Sequence, residues 1–115
     1  MDQKAIDLDE VLERVQNDRD LLLELIQIFL DDCAQKIGIL KTAVEMKNFQ
    51  QAREIAHSLK GASANISAKK VSAVFSTLEQ MAKNNDLADA DVLLAQLDSH
   101  LKELEVYFTE LKRNL

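Results

Sequence analysis

Residues 22–44 read LLELIQIFLDDCAQKIGILKTAV, and within them Leu22, Leu25, Ile26, Phe29, Cys33, Ile37, Leu40 and Val44 recur every three or four positions. At about 100° per residue these side chains fall on one face, which predicts a long amphipathic helix. Asp31, Asp32, Lys36 and Lys41 interrupt the run, so it falls short of the roughly 20 apolar residues that cross a bilayer.

The same spacing continues on both sides. Phe49, Ala52, Ile55, Ala56, Leu59, Ser63 and Ile66 make a third helical stripe, and Val71, Val74, Phe75, Leu78, Met81 and Ala82 a fourth, with Ser67 expected to cap it. From about residue 88, Leu93, Leu94, Leu97, Leu101, Leu104, Phe108, Leu111 and Leu115 make the last. Ahead of them a short segment over residues 6–15 carries Ile6, Val11, Leu12 and Val15, with Asp7 or Asp9 available as its cap. The breaks at Asn17-Asp18, Lys47-Asn48 and Asn84-Asn85-Asp86 are short. The 115 residues contain no proline and two glycines. Long amphipathic helices with short connections pack as antiparallel neighbours. The expected fold is therefore all-α: an antiparallel up-down-up-down four-helix bundle with a short additional N-terminal helix across one end, one domain over residues 1–115.

A formal net charge of −6 and a pI near 4.8 disfavour nucleic acid and anionic membrane as partners and leave proteins. The segment from Arg53 to Lys70 runs against that balance, with Arg53, Lys60, Lys69 and Lys70 facing the single acid Glu54. The lone Cys33 lies in the apolar stripe and reads as a buried thiol of a reducing compartment. Met1-Asp2-Gln3-Lys4 lacks a secretory pattern and no apolar run is long enough to span a bilayer, so a soluble cytoplasmic domain is expected; a monomer is expected as well. The two histidines, one cysteine and many carboxylates show no metal-ligand spacing, and neither metal nor cofactor is expected.

On the third stripe, centred near Leu59, His57 points roughly 155° away and so faces water. Gly61 stands four residues on along the same outward line and Ala64 seven, while Lys60 stands at the edge. A glycine inside a helix costs about 1 kcal/mol relative to alanine, so one on an outward face suits close approach by another molecule. An imidazole with a pKa near 6.5 is largely neutral at pH 7 and keeps a nucleophilic lone pair. A phosphoryl group can bond to that nitrogen, with Lys60 balancing its charge. Read one at a time, an exposed histidine is usually inert, a lysine beside it merely solvated, and a glycine an accident or a kink.

The run His57-Ser58-Leu59-Lys60-Gly61-Ala62-Ser63-Ala64-Asn65-Ile66, preceded by Ile55 and Ala56, resembles the signature of histidine phosphotransfer (HPt) domains. Phe29-Leu30-Asp31-Asp32, Asn48-Phe49, Leu78-Glu79 and Asn85-Asp86-Leu87 extend the likeness over most of the chain. The resemblance implies a helical bundle phosphorylated on His57, with Lys60 beside the phosphate and Gly61 at the docking surface. Its implied partners are the aspartates of response-regulator receiver domains, with any Mg2+ on the receiver; the chain can also be a piece of a hybrid sensor kinase. Ser67 departs from the family, which commonly has glycine there, and this puts the turn geometry in question.

If the chain reverses near Ser67 and Ala68, residues about ten before and ten after the turn meet, which brings Glu79 opposite His57. It either orients the imidazole or is a charged flank of the fourth helix. His100 falls near the border of its stripe and reads as a partly buried structural residue. Two other functions stay open. Leu21, Ile28 and Ile39 form a second apolar line on the second helix, which suits either a non-catalytic interaction adaptor or a docking face. The phosphoacceptor domain of a chemotaxis-type kinase is the other. No glycine-rich nucleotide loop is present, and no proline follows His57 as it does in ordinary kinase dimerisation domains.

Overall fold

In the computed structural model, which describes residues 5–114, five helices follow one another. They are α1 (Leu8–Arg14), α2 (Arg19–Glu45), α3 (Phe49–Asn65), α4 (Lys69–Lys83) and α5 (Ala90–Asn114). The expectations placed on Met1, Asp2, Gln3, Lys4 and Leu115 lie outside the described residues. The first helix is shorter than the expected residues 6–15, and the last begins two residues later than residue 88, because Asp86 Oδ1 accepts the Ala88 amide at 3.2 Å and holds a turn there.

Three helices start on side-chain caps, each accepting an otherwise orphaned amide. Asp7 takes the Glu10 amide at 3.2 Å, Asp18 the Leu21 amide at 3.0 Å and Asn48 the Gln51 amide at 3.1 Å. Ser67 is not a cap, contrary to expectation: α4 begins after Ala68, which offers no side-chain bond. Ser67 instead closes α3. Its φ of 55° lets its amide reach Ala64 O and the Ala68 amide reach Ser63 O, both at 3.0 Å, which is a Schellman ending.

The same paired bonds close three other helices, with Gln16, Lys47 and Asn85 in the left-handed region at φ of 54–55°. A chain with two glycines thus makes all four turns with residues that carry a Cβ.

α2, α3, α4 and α5 pack in sequence around one core, and α5 returns against α2 to close the ring. Leu22, Ile26, Leu40, Leu59, Phe75, Leu78, Leu97 and Leu104 are fully buried in it, and Cys33 is 4% exposed. The bundle measures 42 × 24 × 22 Å. Leu21, Ile28 and Ile39 lie on its surface, uncovered by α1. Among the described residues no helix is long and apolar enough to cross a membrane.

α1 lies across the end where α3 turns into α4. Its N-terminal Asp7 amide donates to Ser67 O at 3.0 Å, and Arg14 Nη1 donates to Ala64 O and Asn65 O, both at 2.8 Å. Glu10 accepts from Ser67 Oγ at 2.9 Å and pairs with Lys69 at 2.8 Å. These contacts tie α1 to the turn between α3 and α4, the pair with the most extensive packing among the described residues.

Candidate functional site

α3 turns Ala52, Ala56, Leu59 and Ser63 into the core. The helical period then leaves Arg53, His57, Gly61 and Ala64 on the outward line, and all four are exposed. The His57 side chain is 69% exposed. A Cβ built on Gly61 meets nothing within 4 Å, so the surface one turn beyond the imidazole is open. Helical side chains lean toward the N-terminus, and a longer residue at position 61 would lie back over His57.

The register set by the Ser67 turn places Glu79 of α4 against α3, where its carboxylate holds two groups at once. His57 Nδ1 is 2.7 Å from Glu79 Oε2, and Lys60 Nζ donates to Glu79 Oε1 at 2.5 Å. The Lys60 hydrogen bond holds the Glu79 carboxyl below its usual range, aided by the His57 contact and opposed by partial desolvation. An ionised carboxylate only accepts, so the neutral tautomer that fits this contact has its hydrogen on Nδ1 and its lone pair on Nε2. Among the described residues Nε2 has no hydrogen-bond partner. Ser58, beside His57, meets Lys36 of α2 at 3.3 Å, and Lys36 pairs with Asp32 at 3.2 Å.

Lys60 is therefore not the solvated edge charge its sequence position suggests; it is bound to the residue that holds the imidazole. The basic character of the segment is mostly cancelled in the same way. Lys69 pairs with Asp7 and Glu10, and Lys70 with Glu103 at 2.8 Å. Of the four cations only Arg53 makes no ion pair among the described residues. A shallow groove runs from His57 toward the start of α3, lined by Phe49, Arg53, Glu54, Glu79 and Lys83 among others. Sequence reasoning missed both the Lys60–Glu79 pair and this groove; the signal for the groove was the spacing of four between Arg53 and His57.

Away from the site, the His100 side chain is 25% exposed, with Nδ1 unbonded and Glu103 at 3.8 Å. Burial, with Asp32 nearby, pushes the Cys33 thiol up to about 12. Among the described residues no three His, Cys, Asp or Glu side chains converge as a metal site would require.

The family model described as "Hpt domain" matches residues 24–107, which include α3, α4 and every residue of the His57 cluster. The chain is also similar to a crystal structure of histidine-containing phosphotransfer protein B (HptB) from Pseudomonas aeruginosa. That likeness has a TM-score of 0.87 at 25% sequence identity and covers 99% of each chain. No curated protein matches the chain in sequence. A five-helix bundle that presents an exposed histidine within the matched residues, and overlays a phosphotransfer protein end to end, belongs to the Hpt domain family, the histidine phosphotransfer modules of phosphorelays.

Proposed function

We propose that this chain carries a phosphoryl group on His57 Nε2, taking it from the aspartyl phosphate of one response-regulator receiver domain and giving it to the aspartate of another. The observation that carries this is the commitment of Nδ1 to Glu79, which leaves Nε2 as the exposed nucleophile. In the forward step the Nε2 lone pair forms the N–P bond while the P–O bond to the receiver aspartate breaks, and the aspartate leaves as a carboxylate. The ring gains positive charge while Nδ1 keeps its hydrogen, and the Glu79 carboxylate beside it stabilises that charge. The reverse step restores the neutral imidazole.

Lys60, three residues on along the same helix, balances the phosphoryl oxygens, while Gly61 keeps the approach open. The carrier supplies neither ATP chemistry nor metal; the magnesium that phosphoryl transfer uses belongs to the receiver. It acts as a cytoplasmic monomer, either free or as part of a hybrid sensor kinase.

Incubation of wild type and His57→Gln with a radiolabelled phosphorylated receiver domain tests this. Acid-labile label is expected on wild type and on His100→Gln and none on His57→Gln. Label retained by folded His57→Gln would reject the assignment. The exposed line of Leu21, Ile28 and Ile39 favours a second reading, an adaptor that binds receivers without accepting phosphate. Binding by wild type without label would support it.

A further inference from the structure

The pairing pattern around His57 raises a charge question. A phosphorylated Nε2 brings close to two negative charges at pH 7 to a face whose nearest lysine is already engaged by Glu79. Lys69 and Lys70 are engaged by α1 and α5. Glu54 lines the same groove, and Gln50 donates to its carboxylate at 3.2 Å. The carboxylates near the ring thus repel the group the ring is meant to hold.

Arg53 is the compensating charge the bundle supplies on the outward line. It stands one turn before His57 with about 5–6 Å between their Cβ atoms, the separation at which helical side chains meet. Both residues line the groove. The guanidinium is exposed, makes no ion pair among the described residues, and presents a planar fork that matches phosphate oxygens two at a time.

We propose that Arg53 is a second phosphoryl-binding residue, closing on the oxygens of phosphorylated His57 from the groove side, opposite Lys60, while Glu79 holds the imidazole. The proposal rests on the assignment of His57 as phosphoacceptor. It makes Arg53 a contact of the adduct that needs no partner protein, and this separates it from a residue that merely docks a receiver. Lys83, across the groove on α4, is the competing cation.

The test loads the full chain chemically with phosphoramidate and follows the phosphoryl group by 31P NMR through a pH titration. The charged groups around His57 are Arg53, Glu54, Glu79 and Lys83 in the groove, Lys60 on Glu79, and Lys36 of α2 against the neighbouring Ser58. Removing an opposite charge within about 4–6 Å raises the second ionisation of the phosphoryl group, by about 1 pH unit at the lower end of such effects. Arg53→Gln is expected to show that rise and to load about 5- to 10-fold more slowly, with circular dichroism unchanged. Arg53→Lys should fall between, and Lys83→Gln should titrate nearer to wild type. An Arg53→Gln adduct that titrates and loads as wild type overturns the proposal, as does a shift that follows Lys83→Gln alone. If wild type yields no 31P signal that His57→Gln abolishes, the phosphoacceptor assignment itself has failed, and the role of Arg53 fails with it.

Discussion

Glu79 holds His57 and Lys60 together, so the three should respond to substitution as a unit. Lys60→Ala removes a cation from the phosphoryl side and also frees a Glu79 oxygen. Loss of one such charged contact is worth on the order of 1 to 3 kcal/mol, so single-turnover transfer should slow by about 5- to 150-fold with the fold retained. An unchanged rate in rapid-quench measurements would show the pair to be ornamental. Gly61→Ala should fold as well as wild type or gain up to about 1 kcal/mol, since its Cβ enters open space. Gly61→Gln should melt near wild type yet lose roughly 100-fold in transfer if it displaces the reacting atoms by about 1 Å. Melting curves and transfer rates on the same samples decide it, and wild-type transfer by Gly61→Gln would move the docking site elsewhere. The placement of His57, Lys60 and Gly61 on the outer side of α3, and of Glu79 opposite His57, follows from helical period and turn register. The partner of Lys60 was not, because a flexible lysine reaches neighbours on another helix that its own helix cannot reveal.

At the level of the helices, the stripes gave the number and order of elements correctly, whereas helix ends depended on backbone geometry that composition hides. Ser67 shows why: a serine before a helix reads as a cap, yet here it ends the helix before it and sends its hydroxyl to α1. A non-glycine residue in the left-handed region costs roughly 1–2 kcal/mol, so Lys47→Gly at an exposed ending should stabilise the bundle by about 1 kcal/mol in denaturant titrations. An unchanged or lower midpoint would show that Lys47 is unstrained. Ser67→Gly should gain less, because it also loses the hydrogen bond to Glu10. The docking of α1 should weaken at both extremes of pH. Asp7 is held below its usual value chiefly by the Glu10 amide and Glu10 chiefly by Lys69, so their contribution is present above about pH 4 to 4.5 and is lost as pH falls through the depressed values. Lys69 is raised, chiefly by Glu10, so its contribution holds below its ordinary value of 10.5 and is lost as pH rises past the raised one. Amide exchange should show α1 opening before α2–α5 on acidification; simultaneous loss of all five helices would contradict this.

Across the whole bundle, every group assigned to phosphoryl chemistry sits on the α3–α4 hairpin, while α2 and α5 supply the wall behind it. Cys33 lies in that wall, with its thiol held near 12, and should resist alkylation at pH 8 until the bundle opens globally. Iodoacetamide labelling much faster than global unfolding would show that α2 breathes independently. His57 lies at the rim of a shallow groove with its side chain 69% exposed, and this has a consequence for the group it is proposed to carry. A phosphoryl group on Nε2 would face bulk water on the sides that Arg53 and Lys60 leave open. The carrier is then a store that leaks at the pace of its own P–N bond. On the proposed function, signal lifetime would become a race between collision with the next partner and spontaneous discharge.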